Sequence, residues 1–205
     1  MNWQDNIPLI AILRGITPEE TFAHVSALVE EGFTAVEIPL NSPDWRQSIT
    51  DMVKTFGDKI LVGAGTVLRT TEVEELAAIG SRLIVTPNTD RTVIRRAAEH
   101  GMTICAGCAT ATEAFTALEA GAHTLKIFPS SVFGPAYIKA LKSVLPPQIP
   151  VFAVGGITPD NLADYLNAGC AGAGLGSDLY RAGQPAEQTR EQARKFIRVY
   201  RDAVK

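Results

Sequence analysis

The sequence predicts a closed (β/α)8 TIM barrel, an α/β fold occupying residues 1–205 as a single domain. One unit recurs along the chain: a helical pattern closes on a glycine and a short apolar strand follows. The closing glycines are Gly32, Gly57, Gly80, Gly101, Gly121 and Gly169. They fall at intervals of roughly 20 to 25 residues, except that the last interval is twice as long. Within that longer step, Leu145-Pro146-Pro147 supplies the missing helix stop. The strands are also continuous apolar runs, which suits a parallel sheet covered on both faces. Finally, the first strand ends Leu13-Arg14-Gly15 and lacks the glycine-rich turn that an open doubly wound sheet carries there. At 205 residues the chain is near the lower size limit for a barrel, so its loops must be short and no second domain fits.

Each element has its own signal. The first strand is Leu9 to Leu13, and a helix from Pro18 to Glu31 follows. Thr17 caps that helix, Pro18 takes its first position and Glu20 completes a capping box. The second strand, Ala35 to Leu40, leads to a helix from Pro43 to Phe56, and the third, Ile60 to Ala64, to one from Thr71 to Ile79. The fourth pair is Leu83 to Thr86 with Arg91 to His100, and the fifth Thr103 to Ala106 with Ala111 to Ala120. A sixth strand around Lys126 precedes a helix from about Pro135 to Val144. The seventh, Val151 to Val154, precedes a helix from Pro159 to Ala168, and the eighth, Ala173 to Leu175, one from Ala186 to Ala203.

Composition excludes several function classes. A net charge of −3 with no long basic run argues against a nucleic-acid or anionic-membrane surface. Met1 to Asn6 is polar and lacks the layout of a secretory signal, and no apolar run is long enough to span a bilayer. Cys105, Cys108 and Cys170 are an odd number in a sizeable chain, which argues against a disulfide framework and for a reduced, cytoplasmic setting. Cys105 and Cys108 have C-x-x-C spacing but no second pair, so small buried thiols are expected. His24, His100 and His123 fall outside the expected catalytic face, so no metal site and no metal cofactor are expected.

Catalysis on a barrel sits where strands end and loops begin. Two strand ends there carry a lone charge in an apolar run: Lys126 in Thr124-Leu125-Lys126-Ile127-Phe128-Pro129, and Glu37 in Ala35-Val36-Glu37-Ile38-Pro39-Leu40. Both alternate with apolar neighbours, so both can point into the barrel while those neighbours meet the helices. Desolvation disfavours an ammonium group, so a buried lysine yields a neutral amine able to form a Schiff base with a carbonyl. A carboxylate beside an apolar wall is tuned towards proton transfer near neutral pH. The plainer alternatives are a lysine that snorkels to water and a structural ion pair.

The last two strand ends resemble a phosphate cradle. Val154-Gly155-Gly156 is followed by Thr158-Pro159, read as a helix start, and the eighth strand ends Gly174-Leu175-Gly176-Ser177. Glycines let backbone amides approach an anion, and these two loops are where phosphate usually sits on this fold. Arg14 at the end of the first strand can clamp a carboxylate, and Thr66 after Gly63-Ala64-Gly65 offers it a hydroxyl and an amide.

These marks together resemble the 2-keto-3-deoxy-6-phosphogluconate/galactonate aldolase family, class I aldolases on a (β/α)8 barrel. They are Glu37 in VEIPLNSP, GAGT at 63–66, Thr86-Pro87-Asn88, Lys126-Ile127-Phe128-Pro129 and the Gly155-Gly156 and Gly176-Ser177 pairs. The resemblance covers the whole chain. It implies that Lys126 is the Schiff-base lysine and Glu37 the general acid/base. It implies that Arg14, Thr66 and Pro87 bind substrate, with Thr66 at a pyruvate carboxylate, and that Gly155, Gly156, Gly176 and Ser177 hold a phosphate. It further implies a homotrimer with no metal, whose only cofactor-like group is the covalent lysine imine, and whose ligand is a phosphorylated keto-deoxy sugar acid. Asn41 stands where phosphogluconate enzymes of the family tend to have arginine, and Val154 where they tend to have threonine. Both departures resemble the galactonate branch and place Asn41 and Val154 among the expected substrate-binding residues. The implied reaction splits the 6-phosphogalactonate keto acid into pyruvate and glyceraldehyde 3-phosphate. Competing expectations are the 6-phosphogluconate epimer as substrate, a phosphosugar isomerase or epimerase on the same barrel, and a non-catalytic phosphosugar-binding module.

Overall fold

The computed structural model describes residues 7–204. The polar Met1–Asn6 segment therefore lies outside the described residues. The elements run β1 Leu9–Ile12, α1 Pro18–Glu31, β2 Ala35–Pro39, α2 Trp45–Phe56, β3 Leu61–Gly65 and α3 Thr70–Ile79. They continue as β4 Leu83–Val85, α4 Arg91–Glu99, β5 Thr103–Cys108, α5 Ala111–Glu119, β6 Thr124–Ile127 and α6 Ser130–Lys142. The last four are β7 Val151–Val154, α7 Leu162–Asn167, β8 Gly172–Leu175 and α8 Ala186–Ala203. All strands pair in parallel with their sequence neighbours, and β1 pairs with β8 to close the barrel.

The register separates two cores. Ile10, Ile12, Ala35, Leu83, Val85, Cys105, Phe152 and Val154 pack together as the barrel filling. Their strand neighbours, among them Val36, Ile38, Leu125 and Ile127, belong to the larger layer between strands and helices. Side chains alternate faces along a strand. Glu37 therefore shares Ala35's inward face, and Lys126 sits between two outward residues. Glu37 stands opposite Ile12 on one side and Gly63 on the other, while Lys126 stands opposite Gly107 and Phe152.

The expected cap of α1 is present: Thr17 N–H donates to Glu20 Oε2 at 3.2 Å and Pro18 opens the helix. Two local expectations are corrected and a third gains a preceding turn. Gly57 closes its helix without the left-handed conformation that a closing glycine usually takes: it adopts φ −58°, and the right-handed turn continues through Lys59 and Ile60 N–H groups donating to Phe56 O. The helix expected from Pro135 is present after a non-helical break at Gly134 (φ 76°, ψ 166°), and a short helical turn from Ser130 that was not expected precedes it within α6. Gly134-Pro135 is a true boundary, and the extra turn before it is set by Ser130, which donates to Ile127 O at 2.7 Å and accepts from Val154 N–H at 3.0 Å. The helix expected from Pro159 begins only at Leu162. Asn161 closes a tight turn instead: its Oδ1 accepts from Thr158 N–H and its Nδ2 donates to Gly156 O, both at 2.9 Å.

Among the described residues no helix is long and apolar enough to cross a membrane. Cys105, Cys108 and Cys170 are buried free thiols. The C-x-x-C pair lies on β5, where three-residue spacing places Cys105 in the barrel filling and Cys108 in the outer layer. They face opposite ways and cannot act as one dithiol.

Candidate active site

A cavity of about 520 Å³ opens at the carboxyl ends of the strands. Its floor carries the two lone charges. Glu37 is 2% exposed and Lys126 6% exposed, yet both line this cavity. Neither snorkels to solvent, and Glu37 Oε2 has no protein hydrogen-bond partner. Lys126 Nζ lies over the Phe128 ring, 4.8 Å from its centre, a contact that favours the cationic amine to a modest degree.

Burial dominates the titration of both groups. Desolvation raises the Glu37 carboxyl to about 7, opposed by the positive charges of Lys126 and Arg14. Desolvation also lowers the Lys126 amine, opposed chiefly by the negative charge of Glu37. The Cys105 thiol beside them is pushed up by burial to about 12, so it stays a neutral filler. The pair thus holds a nucleophilic amine and a carboxyl able to give or take a proton near neutrality.

Room for the carboxyl comes from β3. A methyl group on Gly65 would lie 2.1 Å from Glu37 Oε2, so only glycine leaves space for that side chain. The next residue, Thr66, has φ 57°, a left-handed conformation unfavourable for a β-branched side chain. Such strain is concentrated at ligand sites, and Thr66 lines the cavity. Its Oγ1 accepts a 3.5 Å contact from Arg14 Nη2, while Arg14 Nη1 donates to Asn41 Oδ1. Arg14 is therefore fixed with its guanidinium at the cavity wall, ready for a carboxylate. Asn41 itself is exposed and is not part of that wall. It holds Arg14 rather than facing the cavity.

The remaining expected residues converge on the same space. Pro87 follows β4 and lines the cavity, as does Val154 at the end of β7. Gly155, Gly156, Gly176 and Ser177 line it from the ends of β7 and β8. Gly155 and Gly156 have φ 94° and 74°, and side chains there would strike Phe128 and Ser131. The start of α6 stands beside Gly155 and Gly156, with Ser131 N–H donating to Gly155 O at 3.0 Å, whereas α7 starts later and is six residues long. His24 is buried on α1, His100 caps α4, and His123 receives the Ile104 N–H; none lines the cavity. Among the described residues no cluster of three or more His, Cys, Asp or Glu gathers as a ligand set.

Sequence reasoning missed Phe128, Tyr180 and Arg181, which also line the cavity. Phe128 was within reach of that reasoning, two residues from Lys126 and on the same parity. Arg181 follows Ser177 by four residues, the spacing of one turn, and its Nε donates to Ser177 O at 2.9 Å.

Comparison with known proteins gives a consistent result. Residues 2–193 match the family model described as KDPG and KHG aldolase. The chain is 67% identical over 204 residues, all of both chains, to 2-dehydro-3-deoxy-6-phosphogalactonate aldolase of Escherichia coli strain K12. It is 51% identical over 197 residues, 96% of this chain and 92% of the relative, to a probable 2-dehydro-3-deoxy-6-phosphogalactonate aldolase of Rhizobium meliloti. A solved structure described as native KDPGal superposes with a TM-score of 0.98 at 67% identity, covering 100% of this chain and 99% of that one.

Proposed function

The chain belongs to the KDPG and KHG aldolase family, and from that premise we propose that its cavity cleaves 2-dehydro-3-deoxy-6-phosphogalactonate to pyruvate and D-glyceraldehyde 3-phosphate. It is a carbon–carbon lyase of class I type. The observation that carries the chemistry is Lys126, a buried amine lowered by desolvation, on the floor of a cavity it shares with a carboxyl raised to about 7.

The steps follow from the residues present. Neutral Lys126 Nζ attacks the C2 ketone to give a carbinolamine. Protonated Glu37 assists loss of its hydroxyl as water, leaving an iminium. A base then removes the C4 hydroxyl proton, the C3–C4 bond breaks, and the iminium takes up the electron pair as an enamine. The aldehyde fragment departs. Protonation at C3 restores an iminium, and water hydrolyses it to pyruvate and free Lys126. Arg14, held by Asn41 and Thr66, receives the substrate carboxylate, so Asn41 acts on binding through Arg14. Gly155, Gly156, Gly176 and Ser177 receive the phosphate. Val154 puts an apolar surface at the cavity wall where a hydroxyl could otherwise read the C4 configuration. We place the enzyme in the cytoplasm as a homotrimer that needs no metal, a reading supported by its free buried thiols and by the family resemblance.

The test is borohydride reduction in the presence of pyruvate, followed by peptide mass mapping, with rates on both C4 epimers measured side by side. The expected result is one reduced pyruvyl adduct on Lys126, loss of adduct and turnover in Lys126→Ala, and faster cleavage of the galactonate epimer. An unlabelled enzyme that isomerises a phosphosugar would overturn the mechanism. Preference for the gluconate epimer would overturn the substrate assignment alone.

A further inference from the structure

The cavity wall carries four charged side chains: Arg14, Glu37 and Lys126 on the ends of β1, β2 and β6, and Arg181 on the loop that follows β8 and bears Gly176 and Ser177. A phosphate monoester carries about −1.5 to −2 charge near pH 7. The two glycine loops offer it amides and a hydroxyl, and the start of α6 at Ser130–Ser131 lies against Gly155 and Gly156, but none of these supplies a full positive charge. Arg181 is the cation at that end.

Its side chain is already placed. Arg181 Nε donates to Ser177 O at 2.9 Å, tying the guanidinium to the loop that bears the Ser177 hydroxyl. Its backbone N–H donates to Gln184 Oε1 at 3.0 Å. Gln184 Nε2 donates in turn to Leu179 O at 3.0 Å and to Thr189 Oγ1 at 2.7 Å. Thr189 is fully buried, and its hydroxyl meets the ring of buried His24 at 2.8 Å. The loop is thus anchored through α8 to α1. Among the described residues no carboxylate pairs with Arg181, and its Nη nitrogens keep their hydrogens for a ligand. A guanidinium with one edge fixed and the other open matches a bidentate phosphate contact.

We propose that Arg181 is the counter-charge of the substrate phosphate and the residue by which the enzyme prefers phosphorylated keto acids to unphosphorylated ones. The proposal rests on the aldolase reading of the same cavity. Arg181→Gln keeps a polar side chain and removes the charge. The expected result is a KM for the phosphorylated substrate raised about 10- to 100-fold with a smaller change in kcat, as loss of a charge-assisted contact predicts. Inhibition by inorganic phosphate should weaken by a similar factor, and Arg181→Lys should recover part of both. Pyruvate, which has no phosphate, should be trapped on Lys126 by borohydride at the wild-type rate in Arg181→Gln. Unchanged KM and phosphate inhibition would overturn the proposal. So would an equal loss of pyruvate trapping, because the arginine would then be holding the loop rather than the phosphate. A wild-type enzyme unable to cleave the phosphorylated substrate would instead overturn the aldolase reading from which the proposal starts.

Discussion

Burial acts on Glu37 and Lys126 in opposite senses, and their mutual attraction is the smaller influence on each. An amine and a carboxyl that both resist ionisation can exist together as a neutral pair, which is the form imine formation needs. Because the two interact, the apparent values seen in a rate profile belong to the pair. The sign of the Glu37 effect is nevertheless fixed. Its carboxyl is protonated below about 7 and ionises above it, so kcat/KM limited by carbinolamine dehydration should fall as pH rises through that value. Glu37→Gln should lower kcat/KM by about 100-fold and flatten that alkaline limb, while borohydride still traps some pyruvate on Lys126. Profiles from pH 5 to 9 for both proteins decide it; an alkaline limb surviving in the variant would remove Glu37 from the role. At this scale the sequence was informative wherever a charge broke an apolar run, as at Glu37 and Lys126. It was uninformative at Arg181, whose identity in a polar loop gave no sign that folding would carry it to the cavity. Asn41 shows the middle case: the position was notable in the sequence, but only the structure gives its contact with Arg14, on which its proposed role rests.

At the scale of elements, helices with strong local codes were legible and those shaped by a neighbouring strand were not. α1 has its cap, proline and capping box within four residues, and both of its ends agree with the expectation. The extra first turn of α6 and the late start of α7 were not legible because contacts with other elements decide them: Ser130 answers to β7, and Asn161 to the Gly156 carbonyl. The β2–β3 pair makes the same point for the site. Glu37 and Gly65 are on paired strands, and the space for one is the missing side chain of the other. Gly65→Ala would place a methyl group 2.1 Å from Glu37 Oε2 and 2.4 Å from Cδ. The carboxyl must move, and overpacking of this kind costs about 1–3 kcal/mol. We expect kcat to fall by roughly the same factor as in Glu37→Gln. The double variant Glu37→Gln/Gly65→Ala should be little slower than either single one, since both disable one group. Multiplicative losses in the double variant would show that Gly65 matters for another reason.

At the scale of the molecule, the eightfold alternation of strand and helix was plain in the sequence, but closure is a contact between its two ends. β1 and β8 are joined by pairing residues more than 160 positions apart, Leu9 with Ala173 through Ala11 with Leu175. No local pattern encodes that pairing; it follows from strand tilt and from the bulk of the interior side chains. The structure shows where it is most exacting. A methyl group on Gly172 would lie 1.8 Å from Pro8 O and 3.0 Å from Phe152 Cζ. Pro8 O is also the acceptor for Ala173 N–H at 3.3 Å, so the carbonyl cannot retreat without loosening the β1–β8 seam. The seam also sets Arg14, which follows β1, against Gly176 and Ser177, which follow β8. Gly172→Ala should therefore destabilise the fold by about 3 kcal/mol or more and raise KM in the molecules that remain folded. Gly176→Ala is the matched comparison, because a methyl group there meets nothing within 4 Å; its urea midpoint should stay within about 0.5 kcal/mol of wild type. Urea unfolding of the three proteins separates the cases. If Gly172→Ala unfolded at the wild-type midpoint, the backbone at the seam would have slack to absorb a side chain, and closure would be held by the interior packing of Ile10, Phe152 and Val154 rather than by close contact between the two ends of the chain.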